Sequence, residues 1–150
     1  MRKIWPLMMM ILGGCFVPNQ GSTSPEIRTE LDDLADQAVA VDEKYLSLAK
    51  VVSVLLDETS AIAQNEAAAD HLNRFVSDNE SALRLLTIQL DNWEKHLTEE
   101  DRLLFMMELL AKPYSTRLAA QQQALTNRFS DNSTHLSYLQ QVTEILAFKR

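Results

Sequence analysis

Between Ile27 and Leu55 the apolar residues recur at alternating spacings of four and three: Ile27, Leu31, Leu34, Ala38, Val41, Tyr45, Leu48, Val52 and Leu55. A strand cannot satisfy that period. It belongs to a helix lying at a shallow angle along a neighbouring helix. Asp32, Asp33, Asp36, Asp42, Glu43, Lys44 and Lys50 fall between these positions, on the side expected to face water. In the second half Leu46, Ala49, Val51 and Val54 widen the apolar face, so more than one partner helix is expected to cover it. Ser24-Pro25-Glu26 marks the start, with serine to cap, proline at the first helical position and an acid in the first turn.

The rest of the chain keeps the helical period. The first helix is expected to end between Thr59 and Gln64, with Asn65 capping the next. Leu72, Phe75, Val76, Leu83, Leu86, Leu90, Trp93 and Leu97 then share a face, crossed by the polar stretch Ser77-Asp78-Asn79-Glu80. That stretch could start a fresh helix as a capping box of Ser77 and Glu80. The heptad phase survives across it, however, which favours one continuous helix with Asn79 near the seam. Thr98-Glu99-Glu100-Asp101 reads as a cap followed by three acids, and Pro113 as a break. Tyr114, Leu118, Leu125 and Phe129 resume the period, and Thr134 is expected to cap a short final helix carrying Leu136, Leu139, Val142, Ile145 and Leu146. With only three glycines and four prolines, the expected fold is all-α. Its expected architecture is an antiparallel up-and-down bundle of three long helices plus a short C-terminal helix.

The N-terminus sets the expected location. Arg2 and Lys3 precede an apolar run from Ile4 to Leu12, interrupted by Pro6, and Leu12-Gly13-Gly14-Cys15 closes it. A basic start, a short apolar stretch and small residues describe a secretory signal, and the run is too short for a membrane span. Leu12, Gly13, Gly14 and Cys15 resemble the bacterial lipobox. That resemblance implies cleavage before Cys15 and acylation of its thiol by palmitate-type chains. It implies a signal peptide over 1–14, a lipidated cysteine and flexible tether over 15–25, and a helical bundle domain over 26–150. Phe16 is not the aspartate that retains enterobacterial lipoproteins at the inner membrane. The resemblance therefore implies the outer membrane, at its periplasmic face, with surface exposure still open. The major peptidoglycan-linked lipoprotein is likewise anchored and heptad-based, but it is tethered through a terminal lysine, whereas Lys149 here precedes Arg150; that role is not carried over.

Charge narrows the partners. The chain holds 14 basic and 21 acidic residues, and loss of Arg2 and Lys3 with the leader would take the net charge from −7 to −9. Such a surface repels nucleic acid and anionic lipid, so membrane attachment is expected from the acyl chains alone. Cys15 is the single cysteine; once acylated, it leaves no thiol for catalysis or for a zinc site.

No catalytic or cofactor pattern emerges from the remaining residues. His71, His96 and His135 lack the Glu-x-x-His and His-Glu-x-x-His spacings of metal-binding helices, and His71 and His96 are expected to face solvent. Met106-Met107 reads as core filler rather than haem ligation, and Trp93 and Tyr114 as core anchors. The acid pairs Asp32-Asp33 and Asp57-Glu58 and the run Glu99-Glu100-Asp101 suit helix surfaces and first turns. The expected function is therefore non-enzymatic, with no cofactor and no metal. The chain is expected to bind an unidentified envelope protein as an assembly factor, adaptor or pilotin-like escort, with a homo-oligomer also open. The alternative is a periplasmic binding module holding a small hydrophobic or metal-bearing ligand within the bundle.

Overall fold

The computed structural model describes residues 25–148, with side chains from Leu31 onward. Among the described residues every regular element is helical: α1 (Pro25–Asp36), α2 (Val41–Ala61), α3 (Asn65–Asp78), α4 (Glu80–Lys95), α5 (Glu99–Ala111), α6 (Pro113–Arg128), α7 (Ser133–Thr143) and a closing 3-10 turn (Glu144–Leu146). The all-α class stands, but the chain is divided more finely than its periodicity implies. Among the described residues the longest helix, α2, has 21 residues.

Each of the three long stretches is split once. The first break, at 37–40, has no glycine or proline to announce it. It is stabilised from a distance instead. The ammonium of Lys44 donates to the Ala35 carbonyl at 3.1 Å, and the Gln89 amide donates to the same oxygen at 3.2 Å. These bonds satisfy the end of α1, where carbonyls have no partner within the helix. Lys44 also donates to Gln89 Oε1 at 2.9 Å and is only 4% exposed, so its expected place on the solvated side is corrected. Ala38, expected in the seam, is exposed in this linker.

The second break falls at Asn79, and the expectation of a continuous helix there is overturned. Asn79 ends α3 with φ −116° and ψ 18°, and its amide Nδ2 donates to the Phe75 carbonyl at 2.8 Å. A short polar side chain that bonds the backbone four residues back competes with the next helical turn. The alternative capping box does not form either, since Asn79 rather than Ser77 precedes α4 and no side chain caps it. The third break is the expected one, with extended Lys112 leading into Pro113 at the first position of α6. Thr98 caps α5 as read, its hydroxyl oxygen accepting from Asp101 N at 3.0 Å. Two other caps are corrected. Asn65 lies inside α3 and accepts from Arg128 Nε at 2.6 Å, while Asn132, not Thr134, caps α7.

Packing centres on α2, with α6 along one side of it and α3 and α4 also against it; α1 lies along α4, and α7 along α3. Leu48, Val52, Leu55 and Leu56 of α2 have no exposure at all, and the seam is buried from Leu31 to Leu55 apart from Ala38 and the half-buried Val41. Val54, expected within the widened apolar face, is exposed. Polar clamps tie α6 to α2. Arg117 pairs with Asp57 at 2.8 Å, Gln121 Nε2 donates to Asp57 at 3.0 Å, and Ser60 donates to Gln121 Oε1 at 2.7 Å. Arg128, at the end of α6, donates to the Ile62 and Ala63 carbonyls and so closes the end of α2.

Truncating a side chain at the centre and one at the surface should separate these roles. Leu48→Ala is expected to lower stability by about 3 kcal/mol in urea melts, and Leu110→Ala by less than about 0.5 kcal/mol. Equal shifts of the two midpoints would contradict the placement of the core.

Candidate interaction surface

The helix α5 carries apolar residues on two opposite faces. Leu103, Leu104, Phe105, Met106, Met107, Leu109, Leu110 and Ala111 occupy eight of nine consecutive positions, so they run around the whole circumference. Phe105, 6% exposed, takes the inner side with half-buried Leu109. The outer side presents Leu103, Leu104, Met107 and Leu110, which are 58–68% exposed. Met107 is therefore not the core filler that its neighbours suggest.

An aromatic cluster holds the inner face in place. The Phe105 ring lies 5.0 Å from Tyr45 and 5.0 Å from Trp93, edge-on to both, and 6.0 Å from Phe148. Tyr45 stacks on Phe148 at 5.5 Å and donates its hydroxyl to the Leu146 carbonyl at 2.6 Å. Arg102, also on α5, sits 5.6 Å over the Phe148 ring and 3.8 Å from the buried carboxylate of Glu94. Three other parts of the chain thus fix one face of α5 and turn the other outward. Trp93 and Tyr114, expected as core anchors, are half-buried and pack against the core from its edge, Tyr114 donating its hydroxyl to the Leu46 carbonyl at 3.0 Å.

Burial, then the nearby Glu94 carboxylate and Tyr114, push the Tyr45 phenol up to about 12. Burial, followed by Glu108, raises Tyr114 as well.

Leu12, Gly13, Gly14 and Cys15 fall outside the described residues. His96 is exposed, with its Nδ1 2.7 Å from the Asn92 carbonyl. His71, expected in solvent, is buried against Glu58, with Nε2 3.3 Å from Oε2, and it bridges α2 and α3. A single carboxylate beside one imidazole is neither a catalytic triad nor a metal set, and among the described residues no group of three potential ligands comes together. No described helix is long and apolar enough to cross a membrane. A groove of about 480 Å³ between α2 and α6 is lined by Lys50, Val54, Asp57, Pro113, Tyr114 and Arg117, and so begins with the residues that follow α5. No family model, curated protein or solved structure matches the chain.

Sequence reasoning passed over the outer stripe of α5, although its signal was present. Leu103, Met107 and Leu110 at spacings of four and three form a second, short seam, diametrically opposed to Phe105 and Leu109. A helix that is apolar all round needs cover on every side. In this fold α5 receives it on one.

The raised Tyr45 phenol carries a pH signature. The folded chain holds this proton more tightly than the unfolded chain does. The resulting stability is complete below the ordinary value of 10.0 and is lost as pH rises toward about 12. Denaturant midpoints should fall across that window, and Tyr45→Phe should flatten part of the fall. An identical decline in the variant would mean that Tyr45 is not the group responsible.

Proposed function

We propose that this chain is an outer-membrane lipoprotein of the bacterial envelope, presenting its helical bundle to the periplasm and working by binding another protein rather than by catalysis. Escort of a secretion component, adaptor work and envelope assembly all fit such a role. On this reading α1 with α2, α3 with α4, and α5 with α6 stand for the three long arms of an up-and-down bundle, with α7 as the short fourth. The anchor would be the acylated Cys15, supported by the run Leu12-Gly13-Gly14-Cys15 and its basic, apolar lead.

The observation that carries the interaction reading is the outer face of α5. Four large apolar side chains stand more than half exposed on one helix face, while the inner face of the same helix is locked by aromatic packing. Contiguous apolar surface of that kind marks a site that something covers. The net negative charge supports a protein as the occupant over nucleic acid or an anionic bilayer.

Two experiments test the two halves. Cys15→Ser should abolish incorporation of labelled palmitate and move the chain out of the outer-membrane fraction; retained label would sink the lipoprotein reading. A photo-crosslinking residue in place of Met107 should give a discrete protein adduct in cells, while the same residue at exposed Gln123 should not. Identical adduct patterns from both positions would remove α5 as the contact.

A further inference from the structure

We propose that the occupant of the α5 surface is an amphipathic helix of a partner protein whose apolar stripe is bordered by lysine and arginine. This rests on the reading of that surface as a docking site and names the chemistry that would fill it. The stripe runs from Leu103 through Met107 to Leu110, about 10 Å along the helix axis, with Leu104 beside it. A surface two turns long, set on a rigid helix, matches the apolar residues that another helix offers at i, i+3 or i+4, and i+7.

The border of the stripe is acidic. Glu100 heads it, one turn before Leu103 and Leu104; Glu99 stands a turn before Leu103; Glu108 stands a turn after Leu104; all three are exposed. Of the two bases on α5 and its C-cap, Arg102 turns inward over Phe148, and Lys112 lies 3.5 Å from Glu108 at the far end. A partner helix with basic flanks meets opposite charge at the N-terminal end of the stripe and along its Glu108 side. Complementary fields of this kind steer encounter and exclude wrong partners.

The same charges disfavour the competing occupants. A second copy paired in parallel would set Glu99 and Glu100 against their own counterparts. Paired antiparallel, it would bring little base opposite them, and both copies carry net negative charge. An anionic bilayer is repelled for the same reason.

The test uses the full chain bearing Cys15→Ser, which leaves every described residue unchanged. The probe is a fluorescent helical peptide of leucine and lysine with leucine at the spacing above. The comparison peptide replaces every lysine by glutamate. The leucine–lysine peptide should bind, and the paired change Met107→Ser with Leu110→Ser should weaken it about tenfold or more, as expected for lost apolar contact. The paired change Glu99→Lys with Glu100→Lys should weaken it too and should strengthen binding of the glutamate peptide. Leu85→Ser, at an exposed leucine on α4, should change neither, and unchanged circular dichroism shows that each variant folds. The proposal fails if the two peptides bind alike or if the α5 changes leave binding untouched. It also fails if sedimentation shows self-association that Met107→Ser abolishes, or if phosphatidylcholine vesicles take up the chain through Met107 and Leu110. A Met107 cross-link in cells combined with no selectivity between the peptides would keep the interaction function and discard the basic helix.

Discussion

The packing of Tyr45, Trp93, Phe105 and Phe148 is the interaction on which the placement of α5 depends. These rings come from α2, α4, α5 and the segment after the 3-10 turn, and each lies within 6.2 Å of the other three. Aromatic pairs bring both large buried area and preferred geometry. Here the geometry matters most, because Phe105 is the one residue of α5 that is truly buried. Its edge-on approach to two rings sets the rotation of the helix about its own axis. That rotation decides that Leu103, Met107 and Leu110 point away from the core. The exposed stripe is thus a consequence of how the inner face is held, and the two faces cannot be understood separately.

A second theme is that side chains distant in sequence finish the ends of helices. Lys44 and Gln89 close α1 on the Ala35 carbonyl, and Arg128 closes α2 on Ile62 and Ala63. Cationic groups at helix C-termini satisfy orphan carbonyls and complement the helix dipole together. For Lys44 these bonds also offset part of the cost of burying an ammonium, through the Ala35 carbonyl and Gln89 Oε1. The division of the chain into short helices therefore follows from tertiary bonds that reward each break.

This explains how much of the molecule was legible in advance. The helical class, the buried seam from Leu31 to Leu55 apart from Ala38 and Val41, the Thr98 cap and the Pro113 break all follow from local chemistry, and each appears in the structure. The break at 37–40 does not, because it is supported by a buried Lys44, which looks solvated in the sequence, and by Gln89, more than fifty residues away. Asn79 was legible as a polar residue near the seam, but heptad phase cannot tell a continuous helix from two helices in register. His71 and Lys44 were misplaced for a related reason. Beside acids on a helix they look solvated, and only the packing of a second helix shows otherwise. The stripe on α5 was overlooked because a leucine-rich helix reads as core until the number of its neighbours is known.

The attachment of α1 bears on how the bundle would carry force. In the proposed arrangement the tether enters at the start of α1, which is joined to α2 by the four residues 37–40 and packs sideways against both α2 and α4. Tension along the tether would therefore not run straight into α2. It would cross sideways through the packing of Leu31 and Leu34 and through the two bonds that Lys44 and Gln89 make to Ala35. Those bonds connect α1 to α2 and to α4 at once, so tension would divide between two helices of the core. Side-by-side contacts of this kind resist by sliding together rather than by opening one after another. If the chain is anchored as proposed, a short helix at the point of entry would act as a strain relief between the tether and the buried centre around Leu48 and Val52.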